Sequence, residues 1–329
     1  MGSAEVTGAF DPHTPPLAIA AVPTSVQPGG GFCVDLEARW SRLRRAWLRT
    51  VRPGYVRAMA AKRQGTCPAC AHDIIDPRDL KLVRNVCGFW FRPEDDRFRW
   101  RDRVGLARHG LAEVVISHVG AALLIAIAAV VTRATGHPAA WLLAVPALAL
   151  SGFALWFFRD PDRRPPADEH ALLSPADGVV SHIDEVDAPG FPEGRATRIS
   201  IYLSPWNVHL QRMPRRAKVS SVRYFPGEFL NARHRDCVQR NEQMWVDFEE
   251  PGGRMLRVKQ VSGCVARRLV CWLKLGEEVA MGERFGLNKF GSRADVLFPI
   301  DAKHELVVGI GSVVSAGTSV MLRFQDGAR

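Results

Sequence analysis

A serine that follows a glycine can break its own peptide bond. Gly291-Ser292 lies in the run RFGLNKFGSRADVLFP, Arg284 to Pro299. Phe290 before the pair and Val296, Leu297 and Phe298 after it read as strand, and the glycine leaves the backbone permissive. The Ser292 hydroxyl lies close to the Gly291 carbonyl along the chain, so attack needs no bimolecular encounter and gives an ester. Elimination across that ester leaves a dehydroalanine, and hydrolysis turns it into a pyruvoyl group at the head of a new chain. An unassisted hydroxyl is a poor nucleophile and needs a base. By residue type the candidate is His209, in WNVHLQRMP, and Asp177, in SPADG, can orient and support its imidazole. Taken singly, Asp-Gly reads as a turn and a lone histidine as a structural residue. A second pair, Gly311-Ser312, lies in VVGIGSVVSAGTS, where the flanking Gly and Ser read as a hairpin turn.

Other chemistries leave weaker marks. Cys67-Pro68-Ala69-Cys70 has the spacing of half a zinc knuckle, with His72 and Cys87 as further candidate ligands, but a second paired element is missing. The alternative is ordinary buried thiols. No G-x-G-x-x-G or P-loop is present, which removes support for nucleotide chemistry. A serine hydrolase using Ser292 or Ser174 would lack a G-x-S-x-G elbow.

The elements that must position these residues fall into three stretches. The first, residues 1–112, begins with Pro, Gly and small residues up to Gly31 that predict no fixed structure. From Asp35 to Arg49, Leu36, Trp40, Leu43 and Trp47 recur at helical spacing, with Arg39, Arg42, Arg45 and Arg49 on other faces. Such a helix suits an anionic membrane surface, or it packs on the body of the protein with its arginines solvated. The second stretch, 113–158, holds two apolar runs, Glu113 to Thr132 and Ala139 to Phe158, each near the ~20 residues that span a bilayer. Arginines crowd the outer flanks, while the link carries only Arg133, so both flanks are expected on the cytoplasmic side of the cell membrane. Alanine content and Pro146 argue against the alternative, a pair of buried core helices.

Beyond Pro166, short runs such as GVVSHIDEV, RISIYLS, AKVSSVRYF, QMWVDFE, MLRVKQVSG and RRLVCWLKL alternate and are cut by Gly and Pro, which predicts strands. The whole reads as α+β, a β-rich domain over 159–329 preceded by a two-helix transmembrane hairpin. Seven cysteines in 329 residues are no disulfide scaffold and suggest reduced thiols. A formal net charge of +10 suits nucleic acid or an anionic membrane, and no nucleic-acid-binding module appears.

The Gly291-Ser292 run, FFRDPDRRPP (157–166), LLSPADGVV (172–180), LSPWNVHLQRMP (203–214), FPGEFLNA (225–232) and RNEQMWVDFE (240–249) together resemble the phosphatidylserine decarboxylase family, in its short bacterial form. The resemblance runs in order from Phe157 to the C-terminus. It implies a self-cleaving zymogen with an Asp177, His209 and Ser292 charge relay. The resulting pyruvoyl group would form a Schiff base with the amine of membrane phosphatidylserine and release phosphatidylethanolamine. It also implies a heterodimer of the large and small chains, leaves homo-oligomers open, and likens the tail to a lipoyl-type hammerhead. Asn231, Asn241 and Glu242 match motifs near the family's active site, where they would bind substrate or hold the cleavage loop; loop capping is the plainer reading. Arg293 follows the nucleophile, where it would meet the lipid phosphate or the serine carboxylate, or equally form a surface pair. Larger members carry a second histidine where this chain has Arg212, which suits an anion-binding role instead. Glu228 stands where the family often has lysine. A non-catalytic, membrane-anchored lipid-binding protein of the same fold is the rival reading, and it predicts one intact chain.

Overall fold

The structure, a computed structural model, describes residues 31–68, 72–232, 234, 236–264, 268–289 and 292–325. Phe290, Gly291 and Cys70 lie outside the described residues, as does the N-terminal stretch before Gly31.

Helix α1 (Phe32–Val51) and helix α2 (Pro53–Lys62) come first, and single 3₁₀ turns carry the chain on to α3 (Leu111–Thr135) and α4 (Trp141–Phe157). Gly136, left-handed at φ 74°, ends α3 and donates its N–H to the Thr132 carbonyl, and Pro138 opens the next turn. The two apolar helices pack on each other through small residues, with Ala121, Ala128, Ala144, Ser151 and Ala154 buried. Their large residues, among them Val119, Leu123, Ile127, Leu142 and Leu150, are exposed, which is the opposite of a core helix. By length and composition both could cross a membrane.

The rest is strand: β1 (Ala171–Leu173), β2 (Gly178–Asp187), β3 (Arg195–Leu203), β4 (Leu210–Arg212), β5 (Ala217–Phe225), β6 (Gln243–Glu249), β7 (Met255–Val261), β8 (Arg268–Cys271), β9 (Glu278–Val279), β10 (Arg284–Lys289), β11 (Ser292–Pro299), β12 (His304–Leu306), β13 (Val313–Val314) and β14 (Val320–Phe324). One helical turn, α5 (Cys237–Arg240), precedes β6. An eight-stranded antiparallel sheet runs β13-β2-β3-β11-β7-β6-β5-β9, and two three-stranded sheets, β4-β10-β8 and β1-β14-β12, complete the domain. Alternation along β11 sends Ala294, Val296 and Phe298 into the main core, where they meet Ile199, Ile201, Val258 and Phe248.

The β4-β10-β8 sheet separates that core from the foot of the hairpin. Leu269, Cys271 and Phe285 face the core, whereas Leu210, Val270 and Leu287 pack with Phe157, Phe158 and Val114. A register shift between Arg284 and Gly286 re-aims the last residues of β10. Gly286 is required there, because a Cβ would stand 2.4 Å from the Gln260 amide nitrogen and 2.9 Å from the Val270 carbonyl. Lys289 then closes β10 and Ser292 opens β11, so the chain passes from the small sheet into the middle of the large one across residues 290–291.

Candidate functional site

Ser292 sits at that corner, fully buried, with its backbone paired to Leu203 of β3. Its hydroxyl accepts a hydrogen bond from the Asn288 side-chain amide at 3.1 Å. The Asn288 backbone N–H donates to the carbonyl of His209, also at 3.1 Å. One side chain therefore ties the hydroxyl to the loop that carries the imidazole. Sequence reasoning missed Asn288, whose only signal was its place just ahead of the Gly-Ser pair.

His209 is buried, and its ring lies on Phe157, the last residue of α4, with centroids 4.3 Å apart. Nδ1 is 2.9 Å from the Asn207 carbonyl. A carbonyl only accepts, so Nδ1 carries the proton and Nε2 keeps the lone pair a base needs. Burial pushes the imidazole down to about 4, against smaller raising effects from the Asn207 bond and the Asp177 charge.

Asp177 sits just ahead of β2, where Gly178 is held so close to β3 that a Cβ would meet the Tyr202 carbonyl at 2.1 Å. Its charge reaches His209, but the hydrogen bonds to its carboxylate come from elsewhere. Arg163 grips both oxygens, with Nη2 to Oδ2 at 2.7 Å, and the Ala316 N–H donates to Oδ1 at 2.8 Å. Arg163 belongs to the FFRDPDRRPP motif, which carried the resemblance without any role being assigned to this residue.

The hairpin foot closes the other side. Lys289 is buried, with its ammonium 5.9 Å from the Phe158 ring and paired to Glu113 in the first turn of α3. Burial lowers its affinity for a proton, and Glu113 opposes that. The start of α3 and the end of α4 thus both touch the corner, α4 through Phe157 on His209 and α3 through Glu113 on Lys289.

Among the residues expected to bind substrate, Arg212, Arg293, Asn241 and Glu242 hold hydrogen-bond partners within the fold. Arg212 gives its guanidinium to Asp160 Oδ1 at 3.1 Å, the Pro161 carbonyl at 3.0 Å and the Gly282 carbonyl at 3.2 Å. Arg293 leaves β11 on the face opposite Ser292 and binds Asp295 Oδ1 at 2.7 Å and Ser200 Oγ at 2.6 Å. Asn241 staples the loop before it, taking the Leu230 N–H and giving to the carbonyls of Leu230 and Ser262, each at 2.8 Å. Glu242 accepts from the Tyr224 hydroxyl at 3.1 Å and is raised by burial. Asn231 is exposed on the same loop. A cavity of about 620 Å³ lies between the segment around Arg84 and His109 and the residues Leu210, Arg212, Trp272 and Arg284.

Of the thiols suggested for zinc, Cys67 and Cys87 pack with Ile74, Leu80, Phe89 and Phe91, and no group of three metal-ligating side chains occurs among the described residues. Gly311-Ser312 forms an exposed turn with Gly311 at φ 91°, and Ser312 Oγ takes the Gly309 N–H at 3.1 Å.

Replacing Asn288 with Ala removes the donor that holds the Ser292 hydroxyl, a loss of about 1 to 1.5 kcal/mol, or roughly tenfold in rate where that orientation is needed. Pulse-labelled precursor of the Asn288→Ala chain is expected to convert about tenfold more slowly than the parent. An unchanged half-time would remove Asn288 from the site.

Comparison with known proteins covers the same region. The family model described as phosphatidylserine decarboxylase matches residues 150–322. A phosphatidylserine decarboxylase proenzyme of Rhodopirellula baltica is 39% identical over 250 residues, 75% of this chain and 100% of that one. One from Salinibacter ruber is 45% identical over 190 residues, covering 56% of this chain and 83% of its own. One from Geotalea daltonii is 39% identical over 220 residues, covering 67% and 97%. A 250-residue alignment does not fit between Phe157 and Arg329, so the likeness extends through the apolar helices as well.

Proposed function

This chain belongs to the phosphatidylserine decarboxylase family, and from that premise we propose that it generates its own catalytic carbonyl by breaking the Gly291–Ser292 bond at the foot of a membrane hairpin. Its reaction is the decarboxylation of phosphatidylserine to phosphatidylethanolamine. The observation that carries the proposal is the corner itself: a buried serine hydroxyl, oriented by Asn288, whose backbone N–H in turn holds the carbonyl of a buried histidine.

In the cleavage step the Ser292 hydroxyl adds to the Gly291 carbonyl carbon, and the amide nitrogen leaves it. The hydroxyl proton passes to a base, for which Nε2 of His209 is available. Elimination then removes the Cα proton of residue 292 to a base and breaks its Cβ–O bond, forming the Cα=Cβ double bond and freeing the Gly291 carboxylate. Water enters and ammonia leaves to give the keto group. The site fits such a group because the residue that becomes it is already buried beside a hydrogen-bond donor, away from bulk water.

Breaking the chain at this corner cuts no sheet. β10 stays between β4 and β8, all on the large chain. On the small chain, β11 stays between β3 and β7, β13 stays on β2 and β14 on β1. A two-chain product held by three sets of strand pairings follows.

A pyruvoyl carbonyl at position 292 supplies the electron sink that the amine-bearing carbon of the substrate needs as carbon dioxide leaves. The protein's own residues do the rest. Asp177, pinned by Arg163, places negative charge near His209 and favours its proton-bearing form when it acts as a donor. Phe157 and Phe158 exclude water on the hairpin side. The exposed apolar faces of α3 and α4 support a position for this corner at the bilayer surface, where the headgroup arrives. Arginines on both outer flanks of the hairpin support a cytoplasmic position for the catalytic domain.

Intact-mass measurement of the purified chain, with and without a hydroxylamine reagent, tests this directly. Two chains are expected, the smaller beginning at residue 292, with the reagent adding to that chain alone and abolishing activity. A single full-length species, or a small chain that takes up no reagent, would overturn the proposal.

A further inference from the structure

Helix α1 turns its apolar side outward. Phe32, Leu36, Trp40, Leu43, Trp47 and Val51 form one stripe over a ~100° arc at 3.6 residues per turn, and all are exposed, Trp40 by 68% and Leu43 by 67%. The opposite side is the one that holds the helix to the body. Arg44 pairs with Asp76 and Asp79, Arg45 with Asp73 and Asp79, Lys81 with Glu37, and Leu48 is buried. Arg39 and Arg42 are exposed along one border of the stripe, with Arg49 beside them, half-exposed and paired with Asp73. An amphipathic helix that uses its charges for docking and leaves Trp and Leu unpartnered presents a built surface.

The position of the helix says what covers it. The N-terminal end of α1 lies against the start of α3, where the Cys33 thiol is close enough to feel the charges of Glu113 and Lys289. The stripe therefore begins at the foot of the hairpin, at the level where the exposed apolar faces of α3 begin. We propose that α1 lies in the headgroup boundary of the same leaflet, with its Trp and Leu side chains among the acyl chains and its bordering arginines on anionic phosphates. It rests on the hairpin being embedded. The helix then acts as a float beside the catalytic corner, fixing the height at which Ser292 and His209 meet a lipid headgroup, because the Glu113–Lys289 pair and the docking arginines join both to the same body.

The test uses the full chain in nanodiscs of phosphatidylcholine with one fifth phosphatidylglycerol. An environment-sensitive fluorescent amino acid replaces Leu43, or in a separate chain Val119 on the exposed face of α3. Quenching by lipids with a nitroxide near the headgroup or deep in the tail is compared with quenching by aqueous iodide. The proposal expects position 43 to be quenched by the shallow nitroxide and shielded from iodide, and position 119 to be quenched by the deep one. Position 43 open to iodide, with 119 still lipid-quenched, overturns the float and leaves the hairpin standing. Position 43 shielded from both quenchers means that protein, such as a second copy, covers the stripe, which also overturns it. Position 119 open to iodide overturns the hairpin and the float together. In activity, a Trp40→Glu, Leu43→Glu chain is expected to lose about tenfold on phosphatidylserine in vesicles and less than twofold on a short-chain, monomeric substrate. Equal losses on both would count against it.

Discussion

Ser292→Ala yields one uncleaved chain with no decarboxylase activity. The methyl group fills nearly the same buried space, so the fold is expected to survive, since β11 is held by β3 and β7 through its backbone. What is lost is the only oxygen that can take the Gly291 acyl group without an encounter, an advantage that effective molarities put at about 7 to 11 kcal/mol. Without that oxygen no ester forms and nothing can be eliminated from Cβ, so no keto group arises and decarboxylation falls to the background rate. A denaturing gel and an activity assay on the same preparation read both effects. Normal processing of the Ser292→Ala chain, or cleavage displaced to Gly311-Ser312, would end the scheme.

Replacement of His209 by Gln slows processing by about 10²- to 10⁴-fold, the usual worth of a positioned general base. The pH profile is more telling than the loss. An ordinary histidine is half protonated near pH 6.5, but here burial against Phe157 brings the value to about 4. The base form is then present throughout the neutral range and is lost only as pH falls through about 4. Processing of freshly synthesised precursor should stay level from pH 8 to pH 5.5 and decline below that. A midpoint near 6.5 would mean the imidazole is hydrated rather than buried, and the assignment of base would fail. Stability follows the same shift. The unfolded chain takes up this proton near pH 6.5 and the native chain only near 4, so the contribution is complete above 6.5. It disappears as pH drops through that window and amounts to about 3 kcal/mol. The His209→Gln chain should unfold with a shallower acid dependence over the same interval.

Much of the architecture was readable residue by residue. The two apolar runs became α3 and α4, with α3 beginning at Leu111 rather than Glu113 because nothing in Leu111-Ala112 stops a helix. The six alternating runs became β2, β3, β5, β6, β7 and β8. The short strands β1, β4, β9, β12 and β13 were not foreseen, because two or three residues hold too few alternations to show a period. They matter, since β4 brings Arg212 against Asp160 and carries the loop of His209 to Asn288. Arg212 and Arg293 illustrate the limit. The sequence suggests an anion-binding role for Arg212, and for Arg293 either such a role or a surface pair; the fold supplies each with internal partners distant in sequence, Asp160 for one and Ser200 for the other.

By itself the amino-acid order determined the two bilayer-length helices and the family membership, and it singled out the Gly291–Ser292 bond and the residue types proposed to serve it. Those follow from covalent adjacency and from periodicities that repeat within a few residues. The tertiary structure decided which groups surround the bond: Asn288 on the hydroxyl, Phe157 on the imidazole, Arg163 on Asp177, and Glu113 joining Lys289 to the hairpin. It also decided that α1 turns its tryptophans outward. Burial and ion pairing are set by neighbours brought together across the whole chain, and no local pattern states which face of an element will be covered.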